Sequence, residues 1–214
     1  VFCTTNGSLA TPKMIEECMR AGLDSLKFSI NWSDETQFKE VARVKPELFW
    51  GAINNIKAAK KIRDSVFKDT GHFCGLYASY IQYDGDQGQK MHGILEELKP
   101  LLNEVYALPL YSQADLTGKA ESERGWAVRA GNPGRAANMR EPIPCWALFT
   151  EARVTHDGYL SACCFDHDGR FHMGDLNKIS FLEAWRSPEF QKLRKAHLAG
   201  DVTNTVCEKC VAYQ

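Results

Sequence analysis

Up to Tyr111 the apolar and polar positions switch repeatedly between a period of two and a period of about 3.6. Val1–Thr5 is a short apolar run that reads as a buried strand, and Asn6-Gly7 supplies the turn that leaves it. Thr11 and Pro12 open a helix whose apolar face holds Met14, Ile15, Cys18 and Met19, with Gly22 at its end. Ser25–Asn31 alternates and predicts a second strand, its end polar with Ser29 and Asn31 on one side. Residues around Asp34–Val41 predict a short helix, and Glu47–Ser65 a longer one with Ile53, Ile56, Ala59 and Ile62 on one face. A strand over Phe73–Tyr83, a helix over Gln87–Leu98 stopped by Pro100, and a strand over Val105–Tyr111 complete the series. Strands alternating with helices predict an α/β fold with a parallel sheet and crossover helices, either open or part of a barrel.

Ser112–Pro144 breaks this rhythm. It is rich in Gly, Arg, Asn, Ser and Glu, carries Pro133, Pro142 and Pro144, and has neither period, so a domain boundary is expected near residue 140. Beyond it, Ala152–Thr155 and Tyr159–Cys163 flank His156-Asp157-Gly158, a strong hairpin-turn signal that presents Cys163 and Cys164 at the hairpin's end. Ser180-Phe181-Leu182-Glu183 is a capping box that opens a short helix through Trp185. Ser187-Pro188 opens another that runs to about Leu198 and stops at Gly200. The expected organisation is a larger α/β domain over residues 1–140, linker included, and a small cysteine-rich hairpin-and-helix domain over residues 141–214. No internal repeat or low-complexity run interrupts it.

Composition narrows the partners. Apolar residues make up 44% of the 214 and charged residues 25%, close to the globular norm. With 26 basic against 27 acidic residues the net charge is −1, which leaves no electrostatic footprint for nucleic acid or an anionic membrane surface. No apolar run approaches the roughly 18 to 20 residues of a membrane span and no signal peptide opens the chain, so a cytoplasmic location is expected. The chain begins Val-Phe-Cys, mid-strand and without Met, which is expected of a fragment of a longer protein.

Eight cysteines in a chain with this much core have little call to form disulfides, and metal binding is the better use. Cys145, then Gly158-x4-Cys163, then Cys207-x2-Cys210 gather four thiols at spacings that suit structural zinc or a [4Fe–4S] cluster, and spacing does not choose between them. Cys164 competes with Cys163 because neighbours on a strand face opposite ways; Cys163 is favoured. Cys3, Cys18 and Cys74 read as small buried hydrophobes. None of the six histidines, His156, His167 and His172 among them, has ligand spacing to another. Trp146 and Trp185 read as packing residues of the small domain. A metal-free hydrolase is disfavoured, since there is no Gly-x-Ser-x-Gly elbow.

These residues resemble the radical S-adenosylmethionine (SAM) enzymes that carry a C-terminal SPASM or shortened "twitch" domain. The ordered features are Cys145, Asp157-Gly158-x4-Cys163-Cys164, Met173-Gly174-Asp175-Leu176, Ser180-x2-Glu183-Ala184-Trp185, Phe190-x2-Leu193-Arg194 and Cys207-x2-Cys210, about a third of the chain. Less specifically, Thr5-Asn6-Gly7 and Phe28-Ser29-Ile30-Asn31 resemble strand ends of the family's partial (β/α)6 barrel. The resemblance implies an incomplete parallel (β/α) barrel, with Ser29 and Asn31 as cofactor contacts near SAM; ordinary strand-end hydrogen bonding is the alternative for both. It implies Cys145, Cys163, Cys207 and Cys210 as ligands of an auxiliary [4Fe–4S] cluster, which would accept an electron or orient substrate. The family's Cys-x3-Cys-x2-Cys motif is absent, so SAM and a second [4Fe–4S] cluster are expected only in the full-length protein, where a 5′-deoxyadenosyl radical would abstract hydrogen. The implied partners are a peptide or small-molecule substrate and an electron donor such as a flavodoxin or ferredoxin. The competing reading is a zinc-binding structural or interaction module without catalysis.

Overall fold

The alternating strand and helix signals fold as a parallel sheet. The computed structural model describes residues 1–83, 85–108, 110–111, 128–129 and 144–208, and the boundary expected near residue 140 lies outside them. The chain divides into two compact units, Val1–Leu110 and Tyr111–Gln214.

In the first unit, β1 (Phe2–Thr5), β2 (Ser25–Ser29), β3 (Gly75–Ile81) and β4 (Glu104–Leu108) form one four-stranded sheet in that order, every neighbouring pair parallel. Its connections are the helices α1 (Pro12–Arg20), α2 (Glu35–Ala42), α3 (Leu48–Thr70) and α4 (Gly85–Leu98), the last followed by a 3-10 turn over Lys99–Leu101. Local chemistry sets the helix starts. Thr11 Oγ1 accepts the Met14 amide, and Asp34 accepts the Gln37 amide at 2.8 Å while pairing with Lys90 at 2.9 Å. The Gln37 amide, with Lys90 behind it, holds the Asp34 carboxyl below the usual carboxylate range.

Period two then separates the faces of the sheet. Leu26, Phe28 and Ile30 are buried with Leu76 and Ala78, and Ile15, Met19, Ile53, Ile56 and Ala59 supply the buried faces of α1 and α3. Trp32 meets Phe38 and Phe49 edge-on at centroid distances of 5.0 and 5.2 Å. Thr4, Lys27, Tyr77 and Tyr106 line a cleft of about 350 Å³ on the sheet. Two expectations differ here. β1 is the sheet's edge strand and is exposed along most of its length, with Phe2 75% accessible, so its apolar run does not mark burial. Met14 and Cys18 face solvent although Ile15 and Met19 are buried: each pair is an i, i+4 row, and the rows lie about 100° apart, so only one meets the core. Cys3 is likewise exposed, whereas Cys74 is buried as expected.

Leu110–Tyr111 (β5) and Val128–Arg129 (β6) pair as a two-stranded sheet. In the second unit α5 (Ala147–Thr150) precedes a three-stranded sheet of β7 (Arg153–Val154), β8 (Tyr159–Ser161) and β9 (His172–Asp175), antiparallel throughout. The hairpin turn is built as its Asp-Gly pair requires: Gly158 has φ 89°, Thr155 and Tyr159 bond across it, and the Asn177 amide caps the Asp157 carbonyl. The third strand, β9, goes beyond the hairpin expected from sequence. Then α6 (Phe181–Trp185) begins with the Ser180–Glu183 capping box, both of its bonds made, and α7 (Pro188–Leu198) begins at Ser187. Leu148, Leu160, Ala162, Phe171, Met173, Ala184, Phe190 and Leu193 form the core of this unit. No helix among the described residues is long and apolar enough to cross a membrane.

Candidate metal centre

Three of the four thiols singled out from the sequence belong to, or pack against, one hydrophobic core. Cys207 is part of the second unit's buried core, and Cys145 and Cys163 pack half-buried against that same core. Cys145 stands just before α5, Cys163 follows β8 at the end of the hairpin, and Cys207 lies in the turns that follow α7. Cys210 lies outside the described residues.

Cys163 and Cys207 are each held by short-range chemistry from their own segments. Cys163 Sγ accepts the Phe165 amide at 3.4 Å, a contact of the kind that offsets negative charge on sulfur. Ser161 Oγ lies 3.1 Å from the Cys163 carbonyl and accepts the Cys163 amide at 3.4 Å. Thr205 Oγ1 accepts the Cys207 amide at 3.2 Å and donates to the Val202 carbonyl at 2.6 Å. Cys163 and the exposed Cys164 both line a cleft of about 360 Å³ with Ser161, Thr155, Arg153 and Asp166.

Helix α7 ties Cys145 into the assembly through two residues that no sequence motif singles out for this role. His197, 2% exposed, accepts the Cys145 amide on Nδ1 at 3.3 Å. Burial pushes the His197 pKa down, and the neutral ring leaves Nδ1 able to accept. One turn earlier, Arg194 donates from Nε to the Leu148 carbonyl at 2.8 Å and from Nη1 to the Trp185 carbonyl at 2.6 Å. Its guanidinium also stacks over Phe190 at 3.8 Å and Trp185 at 4.2 Å. Thus α7 fixes α5, and with it the position of Cys145, against the core that holds Cys207. Trp146, read from sequence as a packing residue, is instead exposed, with only Phe149 as its aromatic neighbour among the described residues. Trp185 does pack against the core.

Thiols set on an apolar core, one of them receiving a backbone amide, have the donor chemistry that iron–sulfur clusters require. Among the described residues no group of three or more Cys, His, Asp or Glu side chains is arranged to hold a metal ion. Ser29 and Asn31 stand at the carboxyl end of β2, in the other unit, the end at which open α/β sheets bind ligands. Ser29 pairs in register with Ser79, and the Asn31 carbonyl accepts the Tyr83 hydroxyl at 2.9 Å. Both residues are half-buried.

Comparison with known proteins bears on both units. Residues 145–211 match the SPASM family, described as an iron–sulfur cluster-binding domain. No curated protein matches the sequence. Among solved structures, the chain is similar to "Native anSMEcpe with bound AdoMet" at 12% identity and a TM-score of 0.52, over 92% of this chain and 59% of that one. A second structure, a histidine-tagged anSMEcpe with bound AdoMet, is 12% identical with a TM-score of 0.46, over 92% of this chain and 57% of that one. The present chain therefore spans less than two thirds of the length of these structures. The first likeness is one of fold, and it agrees with the parallel α/β architecture expected from the sequence. The match over residues 145–211 agrees with the SPASM part of the resemblance drawn from the sequence.

Proposed function

We propose that this chain is the middle-to-C-terminal part of a radical SAM enzyme, in which Cys145, Cys163, Cys207 and Cys210 hold an auxiliary [4Fe–4S] cluster. The single observation that carries the reading is the packing of Cys145, Cys163 and Cys207 on one core inside the residues that match the iron–sulfur family. When bound, SAM and its own cluster would supply 5′-deoxyadenosyl radical chemistry for hydrogen abstraction, and the auxiliary cluster would supply a one-electron acceptor or a substrate anchor.

This chain's residues then do the holding. His197 and Arg194 set the segment that carries Cys145, the hairpin presents Cys163, and the Thr205 turn presents Cys207. Ser29 and Asn31 are proposed to contact SAM at the carboxyl end of the parallel sheet. The substrate is a peptide or small molecule reaching that end, and a flavodoxin or ferredoxin in the cytoplasm is the electron donor.

Metal identity tests the reading. After anaerobic reconstitution the chain is expected to be brown, to absorb at about 400 nm and to carry about four irons and four sulfides. Stoichiometric zinc without iron would instead establish the zinc-binding structural module and overturn the enzyme reading.

A further inference from the structure

Beside Cys163 lies a buried carboxylate that the proposed ligand set does not use. Asp166 has a side chain only 3% exposed, in the loop between β8 and β9. A carboxylate buried this deeply is costly unless donors converge on it, and here they do. Its Oδ2 accepts the Ser161 hydroxyl at 2.7 Å and stands 3.5 Å from His172 Nε2, while its Oδ1 accepts the Phe171 amide at 3.4 Å. The His172 ring is itself stacked on Tyr159, with centroids 4.4 Å apart and planes 9° from parallel.

Those contacts lead back to the thiol. The Ser161 hydroxyl has one proton, and its shorter contact, to Asp166, takes it; this leaves the oxygen free to accept the Cys163 amide. The Asp166 amide lies 3.4 Å from the Cys163 carbonyl, so side chain and backbone both close the loop over Ser161–Asp166. In that closed loop the Phe165 amide points at Cys163 Sγ.

We propose that Asp166 is a positioning residue for the cluster: through Ser161, Phe171 and His172 it fixes the loop so that Cys163, and not the exposed Cys164 beside it, presents its sulfur as ligand and receives the Phe165 amide. This rests on the iron–sulfur reading above. Residues that orient a ligand without touching the metal are worth about 10-fold to 100-fold in metal affinity. An amide donated to a ligand sulfur raises the reduction potential of the cluster.

The test compares the reconstituted wild-type chain with Asp166→Ala, Asp166→Asn and Ser161→Ala. The readouts are iron retained against a chelator, the electron paramagnetic resonance spectrum of the reduced cluster, and its midpoint potential. Asp166→Ala is expected to weaken iron retention by about 10-fold to 100-fold, to lower the potential and to alter the spectrum. Asp166→Asn, which keeps one acceptor, is expected to recover part of each. If circular dichroism shows that Asp166→Ala does not fold, Ser161→Ala carries the same readouts, since it cuts the link from the carboxylate to Cys163. Wild-type retention, spectrum and potential in whichever of these two variants folds would overturn the assignment. A wild-type chain that takes up no iron would instead overturn the iron–sulfur reading itself, before any variant is compared.

Discussion

At the scale of single residues, Arg194 links three helices of the cysteine unit. It bonds the backbone carbonyls of two separate helices, and it lies over two aromatic rings. Burial pushes its guanidinium pKa down, yet the donors it places on Leu148 and Trp185 keep α5 and α6 against α7. Removing it takes the donor from both carbonyls, so Arg194→Ala is expected to destabilise this unit by about 2–4 kcal/mol. Arg194→Lys is expected to recover little, because an ammonium cannot span two carbonyls and stack at once. Urea unfolding of the metal-free chain measures both; an Arg194→Ala midpoint equal to wild type would remove this role. Neither Arg194 nor His197 could be given such a role from sequence, because Leu148 and Cys145 lie 46 and 52 positions from them and the groups bonded are backbone ones that any residue would offer. Asp166 is likewise defined by what folds around it. The cysteines were legible because thiols at knuckle spacing carry their chemistry in their identity.

At the scale of elements, the features that were legible are those with short-range causes. The Thr11 and Ser180 caps, the Asp157-Gly158 turn and the four parallel strands each follow from residues within a few positions of one another. Strand β9 was not legible, because His172-Met173-Gly174-Asp175 is four residues long and has a glycine where a strand former is expected. The packing explains that glycine: a Cβ at position 174 would sit 2.6 Å from the Cβ of Ala184 on α6. Gly174→Ala is therefore expected to push α6 off the sheet and to cost about 1–3 kcal/mol. Ala184→Gly in the same chain is expected to restore part of that stability, because it removes the colliding atom. Thermal unfolding of the two single variants and the double variant measures the coupling. Strict additivity would show that the two elements do not meet as described.

At the scale of the whole molecule, the alternating periods predicted an α/β chain, and the four parallel strands with their connecting helices agree with that fold class. The exposed edge strand β1 shows where reading the pattern falls short: an apolar run predicts a strand without saying whether that strand lies inside the sheet or at its edge. The central claim concerns the second unit, where thiols from three separate segments share one core and the fourth follows Cys207 at knuckle spacing. Iron quantification after reconstitution, on wild type, Cys207→Ala, Cys210→Ala and the exposed first-unit variant Cys18→Ala, tests it most directly. The account predicts about four irons per chain in wild type and in Cys18→Ala, and a marked loss in the two knuckle variants. Equal iron in all four proteins would contradict it.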